Sequence, residues 1–269
     1  MRFTPGEGIG NVFLIGSAAE ARASGRPVAE LAREVCGDWF DGLLLLGPAV
    51  PAGAAARTVL VLNRDGSEGG ACLNGARVVA LLELEASGIL EMGGRRLRWA
   101  RTARTEPAEA GAPVRGEVEL HLPGESFPDP LVLQPLTLED GTRGVAVNFW
   151  NPHCVIPVPT VHRLDLARIA AEVGARTDLF PDGVNVEVVA DGDAPGRVRM
   201  RVWERGVGET RACGSGAVAT ALAWWQAGAK GALHVAMPGG VLRVAEAEDG
   251  GVLVAGACSH GRDFELPLA

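Results

Sequence analysis

Residues 61–82 read VLNRDGSEGGACLNGARVVALL, and 141 positions further on residues 202–223 read VWERGVGETRACGSGAVATALA. Nine of the 22 aligned positions are identical: Val61/Val202, Arg64/Arg205, Glu68/Glu209, Ala71/Ala212, Cys72/Cys213, Gly75/Gly216, Ala76/Ala217, Ala80/Ala221 and Leu81/Leu222. The same offset lays Asp41-Gly42 on Asp182-Gly183, each ahead of an apolar run. An offset one residue shorter lays Asn11 of GNVFLI on Asn151 of WNPHCVI. Self-similarity that keeps its order over most of a chain marks a duplicated architecture. The chain therefore reads as two homologous halves, each with one cysteine in the same local setting.

That setting has a physical reading. TVLVLN (58–63) and VRMRVW (198–203) are β-branched or alternating, as strands are. A glycine-containing turn follows each. Beyond the cysteine, apolar residues recur at helical spacing: Cys213, Ala217, Val218, Ala221, Leu222 and Trp225 in one half, Ala76, Val79, Ala80 and Leu84 in the other. Gly88 is the expected close of the first helix. Each unit is thus strand, turn, cysteine, helix, with a thiol where Ser, Thr, Asp or Asn would ordinarily stand. At a helix start the first backbone N–H groups lack intrahelical partners. The helix dipole there favours anions, which is expected to lower a thiol's pKa and to suit a carboxylate ligand.

The rest of the chain alternates similarly. VAELAREVC (28–36) and LDLARIAAEVGA (164–175) predict one amphipathic helix per half. Short strands are expected at 43–46, 57–62, 116–122, 145–149, 184–189, 198–203, 232–236, 241–245 and 252–256. The predicted class is α+β: two pseudo-symmetric domains, each a curled, mostly antiparallel sheet around a central helix, with the active site in the cleft between them. The Pro/Gly/Glu-rich stretch 106–116 (EPAEAGAPVRG) is the expected boundary. It gives an N-terminal half 1–113 with Cys72 and a C-terminal half 114–257 with Cys213. Residues 258–269 are expected to rejoin the first half.

Composition narrows the function classes. The 269 residues are 47% hydrophobic and 22% charged, with a net charge of −8, so no basic surface argues for nucleic acid or an anionic membrane. The longest apolar runs, such as LLLLG at 43–47, fall well short of the ~20 residues of a membrane span. MRFTPGEGIG has no signal-peptide core, so a cytoplasmic protein is expected. The five cysteines (Cys36, Cys72, Cys154, Cys213, Cys258) are odd in number and scattered, against a disulfide framework or a zinc site. Cys36, Cys154 and Cys258 lack the repeat and read as small buried hydrophobes.

Two symmetric thiols suit one kind of chemistry. Inverting a stereocentre that bears hydrogen needs a base on one face and a conjugate acid on the other. A thiolate/thiol pair can exchange those roles, since cysteine's pKa of ~8.5 is readily moved. A carboxylate held by helix N-termini would stabilise the charge that develops on deprotonation. Such a reaction needs neither metal nor pyridoxal cofactor, and the sequence offers no obvious site for either.

At this level of detail the chain resembles the diaminopimelate epimerase family, cofactor-independent two-cysteine epimerases. The motifs are GNVF, NRDGSEGGACLNGAR, WNPHCV, GVNVEVV and ERGVGETRACGSGA, spanning most of the chain. The resemblance implies interconversion of LL- and meso-2,6-diaminoheptanedioate, in lysine and peptidoglycan synthesis. It implies Cys72 and Cys213 as the acid/base pair, and the N–H groups of Leu73, Asn74, Gly214 and Ser215 as the cradle of the reacting carboxylate. Asn11, Asn63, Asn151, Asn185, Glu204 and Arg205 would read the rest of the substrate, Glu204 taking an ammonium and Arg205 a carboxylate. His153 would tune a thiol or orient its loop. Taken singly, these Asn residues would pass as turn formers and Glu204-Arg205 as a solvated pair. The expected partner is a small amino acid, with no nucleic acid or membrane, and a homodimer stays open.

The chain also departs from the family pattern. Leu73 and Val78 stand where the usual CGNGAR motif has glycine and a following cysteine, and Val12 replaces the acid of GNDF. If glycine's freedom is required at position 73, the loop must shift. These changes leave open a racemase or epimerase of another amino acid, or a non-catalytic amino-acid-binding paralogue.

Overall fold

In both halves the repeated stretch folds as a strand, a tight turn and a helix beginning just after the cysteine. The computed structural model describes residues 1–49, 56–107, 109, 111–127 and 133–267. The chain divides into two compact units, Met1–Leu122 with Ala255–Ala269, and Pro123–Val254.

The first unit runs β1 (Arg2–Gly8), β2 (Asn11–Ser17), α1 (Ala18–Ala23), α2 (Val28–Cys36), β3 (Gly42–Leu46), β4 (Arg57–Asn63), α3 (Leu73–Leu82), β5 (Ser87–Met92), β6 (Arg95–Thr105) and β7 (Val114–Leu122). Strands β1–β2, β3–β4, β5–β6 and β6–β7 pair antiparallel, whereas β2–β3 and β4–β5 pair parallel across helical crossovers. The second unit contains β8 (Leu133–Thr137), β9 (Arg143–Phe149), β10 (Asn151–Pro157), α4 (Leu166–Gly174), β11 (Asn185–Asp191), β12 (Arg197–Glu204), β13 (Gly208–Thr210), α5 (Gly214–Gln226), β14 (Leu233–Met237) and β15 (Gly240–Glu246). Its pairings repeat the pattern: β9–β10, β11–β12 and β14–β15 antiparallel, β10–β11 and β12–β14 parallel. Strand β16 (Val252–His260) carries the chain back, and β17 (Phe264–Glu265) pairs with β1 in the first unit.

The duplication holds bond by bond. The turn after β4 is closed by Gly66 N–H donating to the Asn63 carbonyl (2.9 Å), and its counterpart by Val207 N–H donating to the Glu204 carbonyl (3.1 Å). Leu62 bridges Glu68 in the first unit as Trp203 pairs with Glu209 in the second. Asn63 and Glu204 therefore occupy the same place, the last residue of the strand before the cysteine turn.

Each helix with a cysteine start is the core of its unit. Residues Leu73 to Leu81 of α3 are all buried, as are Gly214, Gly216 and Ala217 to Ala221 of α5. A helix buried on every side carries apolar or small residues all round, which is why both stretches are so rich in Ala, Val and Leu. Each fully buried Leu or Val contributes roughly 1.5–3 kcal/mol. The amphipathic helices α2 and α4 each bury one face against their own unit's sheet, Leu31, Ala32, Val35 and Cys36 in one case and Leu166, Ile169, Ala170 and Val173 in the other.

Three expectations are corrected. Helix α3 ends at Leu82 rather than at Gly88, and Leu84 is 96% exposed. Its last carbonyls are capped by arginines from β6: Arg104 Nη1 donates to Leu81 O (3.3 Å) and Arg101 Nη1 to Glu83 O (2.9 Å). Glu83 turns extended and pairs with Arg57. No glycine is needed there, because side chains satisfy the carbonyls. The Pro/Gly-rich stretch near 110, whose residues 108 and 110 lie outside the described residues, links the antiparallel strands β6 and β7. Because β7 is bonded to β6 along its length, the division falls between Leu122 and Pro123 rather than at 113/114. The return of the chain to the first unit starts at Ala255 rather than 258. The short helix α1, capped by Ser17, was not anticipated from the sequence. Among the described residues no helix is long and apolar enough to cross a membrane.

Gly42 opens β3 against β4, where an added Cβ would sit 2.6 Å from the Leu62 carbonyl oxygen. That oxygen is backbone and cannot step aside, so Gly42→Ala is expected to cost about 1–3 kcal/mol. Gly174 ends α4 with nothing within 4 Å, so Gly174→Ala is expected to be neutral or stabilising by up to about 1 kcal/mol. Urea denaturation midpoints of the two variants check the contrast.

Candidate active site

The first site region lies where α3 begins. Cys72 is the N-cap, with extended backbone (φ −108°, ψ 105°), and its Sγ accepts the Gly75 N–H at 3.4 Å. The Ala76 N–H goes to the Cys72 carbonyl (2.8 Å). The first-turn N–H groups of Leu73 and Asn74 stand ahead of those bonds, where helix geometry supplies no acceptor. Cys72 is half-buried, and its own N–H donates to Met92 Sδ (3.1 Å).

Asn74 is buried and doubly engaged. Its Nδ2 donates to Asn11 Oδ1 (2.5 Å), and its Oδ1 accepts from Arg77 Nη2 (2.7 Å). Asn11 donates in turn to Asp41 Oδ2 (3.3 Å), which also takes the Val12 N–H (2.9 Å). Val12 is thus tied to Asp41 through its backbone, whatever its side chain. Asn11 follows the two-residue turn Ile9-Gly10, both at positive φ (46° and 91°), and Asn151 follows Trp150 at φ 56°. A β-branched residue in that region is a strained conformation held by its surroundings. Asn63 is exposed and donates to Ser67 Oγ (3.0 Å).

Leu73 does not displace the helix start. It is the first helical residue, has no positive φ, and is buried. The conformational freedom of glycine is not used at this position, so the expected loop shift is absent. Arg77, one turn further on, was missed by sequence reasoning, which treated it as part of a motif. It is fully buried, donates to Asn74 and to the Leu73 carbonyl (3.2 Å), and leaves Nε without a partner among the described residues. Burial pushes its pKa down to about 10, while the thiols of Cys258 and Cys72 pull the other way.

The second site region lies where α5 begins, and its cap repeats the first. Cys213 has extended backbone (φ −132°, ψ 114°), and its Sγ accepts the Gly216 N–H at 3.4 Å. Ser215 Oγ is 3.5 Å from the same sulfur. Gly214 and Ser215 supply the first-turn N–H groups. Around this thiol the charges are opposite in sign to those near Cys72. Glu204 reaches Cys213 by a side-chain hydrogen bond and accepts from Thr210 Oγ1 (2.5 Å). Burial raises the Glu204 pKa, with Glu187 adding to the rise and Thr210, Cys213 and His153 opposing it. Cys213 itself is pushed well above the ordinary thiol range, by burial first, then by Glu204 and Glu187. The Ser215 hydroxyl and Gly216 N–H work against that shift and are outweighed. The helix end was expected to lower this thiol's pKa; desolvation and two carboxylates win instead.

Asn185, nearly buried at the start of β11, accepts the Arg205 N–H (2.9 Å). Arg205 is exposed, with Nη1 on the Asp182 carbonyl (2.6 Å) and its stem lying over Gly183. Asn151 opens β10, two residues before His153, which is fully buried against Glu187. Within the first unit Asn11 and Asn74 are linked beside Cys72, and within the second Glu204 bonds Cys213 while Asn185 holds the Arg205 backbone. Thr210, Asp41 and Glu187 were not assigned roles, although Asp41 stood in one of the repeat's Asp-Gly pairs and Thr210 and Glu187 lay inside the quoted motifs ERGVGETRACGSGA and GVNVEVV. Among the described residues no group of three His, Cys, Asp or Glu side chains is arranged to hold a metal.

The diaminopimelate epimerase of Sphingopyxis alaskensis is 36% identical over 276 residues, covering 100% of this chain and 98% of its own. That of Erythrobacter litoralis is 34% identical over 274 residues, covering 96% and 94%. The chain belongs to the diaminopimelate epimerase family. The family's model matches residues 145–259, which include β10, β11 and the whole Cys213 turn. As a member it is an isomerase, an amino-acid epimerase. Among solved structures, the fold is shared with a PhzF-family phenazine biosynthesis protein of Bacillus anthracis (TM-score 0.67, 12% identity, 100% of this chain and 99% of that one). It is also shared with a hydroxyproline epimerase of Agrobacterium vitis (TM-score 0.59, 16% identity, 99% and 89%).

Arg77 is the charged group on which the first site region is built. Arg77→Ala would leave a cavity and strip Asn74 Oδ1 of a donor, so it is expected to lower stability by about 2–5 kcal/mol. Arg77→Met, which keeps the volume, is expected to cost less. Thermal unfolding of both variants checks the order.

Proposed function

We propose that the protein inverts an amino-acid α-carbon by two-base proton transfer between Cys72 and Cys213, with LL-diaminopimelate as substrate and the meso form as product. The observation that carries this reading is the pair of thiol N-caps, each with extended backbone and the same 3.4 Å bond to the third helical N–H, in homologous positions of a duplicated chain. A binding protein has no use for two proton carriers so matched.

The chemistry runs as follows. One thiolate removes the α-hydrogen from one face, and the other thiol delivers a proton to the opposite face. Cys213, buried beside Glu204 and Glu187, enters as the thiol and is the acid. Cys72 then enters as the thiolate and is the base. The N–H groups of Leu73, Asn74, Gly214 and Ser215 hold the reacting carboxylate and stabilise the charge it gains. The second amino-acid head is read by Asn11, Asn63, Asn151, Asn185, Glu204 and Arg205. Support for that two-headed substrate comes from the names of the curated relatives and from the presence of an anion, Glu204, and a cation, Arg205, at adjacent positions. No cofactor is required for this chemistry. The pathway role is lysine and peptidoglycan synthesis, and the place of action the cytoplasm.

Incubation with LL-diaminopimelate in D2O is expected to give the meso isomer with deuterium at the inverted carbon. Cys72→Ala and Cys213→Ala are each expected to reduce epimerisation by 10²-fold or more, the scale of a lost general acid or base. Exchange with other amino acids but not diaminopimelate would move the chain to a different substrate; full activity in either variant would end the two-base scheme.

A further inference from the structure

Packing alone does not account for Arg77. The repeat puts it where the second unit has Val218, and Val218 is as fully buried in α5 as Arg77 is in α3. The same helix therefore packs with an apolar side chain at this place. A guanidinium taken out of water is costly, the more so with Nε lacking a partner among the described residues. Its other two nitrogens are engaged: Nη1 donates to the Leu73 carbonyl (3.2 Å) and Nη2 to Asn74 Oδ1 (2.7 Å). From there a chain of bonds runs outward. Asn74 Nδ2 donates to Asn11 Oδ1 (2.5 Å), and Asn11 Nδ2 donates to Asp41 Oδ2 (3.3 Å), which also takes the Val12 N–H (2.9 Å). The second unit has no such chain: Ser215 stands at the place of Asn74, and its hydroxyl lies 3.5 Å from Cys213 Sγ.

The two ends of this chain force its polarity. A guanidinium only donates and a carboxylate only accepts, whereas an asparagine amide has one edge of each kind. Turning over either Asn74 or Asn11 would set donor against donor at one of its contacts and acceptor against acceptor at the other. We propose that Arg77 and Asp41 are positioning residues that lock the amides of Asn74 and Asn11 in one orientation. Asn11 Oδ1 is then engaged by Asn74, and Asn11 offers its ligand the Nδ2 hydrogen not given to Asp41. The ligand group it meets is an acceptor, a carboxylate oxygen. A binding group held in place beforehand loses less freedom when the ligand arrives, so the lock acts on affinity. This rests on the reading of Asn11 as a substrate-binding residue and narrows what it binds.

The test is a double-mutant cycle read in KM for LL-diaminopimelate. Arg77→Met and Asp41→Ala each free one end of the chain while the other still imposes the polarity. Each alone is expected to raise KM by about threefold or less, and the double variant by at least about tenfold more than the product of the two, with kcat changed far less. Arg77→Lys and Asp41→Asn keep a donor at one end and an acceptor at the other, and together they are expected to show no such excess. If Arg77 merely filled space, the two effects would multiply, and lysine would serve worse than methionine. Should Arg77→Met fail to fold, Arg77→Gln, whose amide can turn either edge to Asn74, removes the constraint in its place. A simple product of effects in folded variants overturns the proposal. A second readout needs no turnover. In nitrogen-15 spectra of the free protein, with Asn74→Ala assigning the signal, the Asn74 side-chain amide is expected to exchange its hydrogens slowly, and quickly in the double variant. If diaminopimelate does not turn over, the reading of function fails on its own. Slow exchange that persists in the double variant overturns the lock in either case.

Discussion

A thiol that caps a helix is the constraint from which the rest follows. In each unit the cysteine sulfur takes the third N–H of the helix, at 3.4 Å, and the residue's extended backbone turns the chain from strand to helix. The cap fixes the sulfur to a helix that is buried along its first turns. It also leaves the two N–H groups ahead of it for a ligand. Sulfur is a weak acceptor, so a thiol gives up some of the stability of a hydroxyl or carboxylate cap. What it gains is a titratable group at the helix start, whose charge is then set by its surroundings.

The two caps are the same in geometry and opposite in surroundings. Near Cys72 the buried charge is the guanidinium of Arg77, with Asn74 and Asn11 linked to it in a chain of hydrogen bonds. Near Cys213 stand half-buried Glu204 and the fully buried Glu187 and His153. Duplication supplied one scaffold twice, and later substitutions gave each thiol its own field. At position 77 the first unit has arginine where the second has Val218; at 63 it has asparagine where the second has Glu204. A cation close to one thiol and anions close to the other are what a reaction needs if one sulfur is to start charged and the other protonated.

Much of this was legible in the chain. The repeat located both cysteines, both helix starts and the strand before each, because each rests on contacts near in sequence: a cap three residues long and a turn closed by Gly66 or Val207. Helices α2 and α4 were readable from apolar periodicity, since each buries one face only. What failed was ruled by distant partners. Gly88 looked like a helix stop, but Arg101 and Arg104 had already capped α3. The Pro/Gly-rich stretch near residue 110 looked like a linker, but the ladder between β6 and β7 makes it a hairpin connection. Leu73 looked like a threat to the loop, but a helical backbone at that position has no need of glycine.

By itself, then, the sequence determined the duplication, the class of fold and the place of two cysteines at helix starts, because a repeat preserves local hydrogen-bond patterns in its spelling. Only the tertiary structure decided the charge around each thiol. Arg77 reads as one more helix-forming residue, and Glu187 as one polar letter in a strand of valines. Both are functional candidates because they are fully buried. Burial is a property of everything packed around a residue, and a charge out of reach of water acts on its neighbours far more strongly than one at the surface.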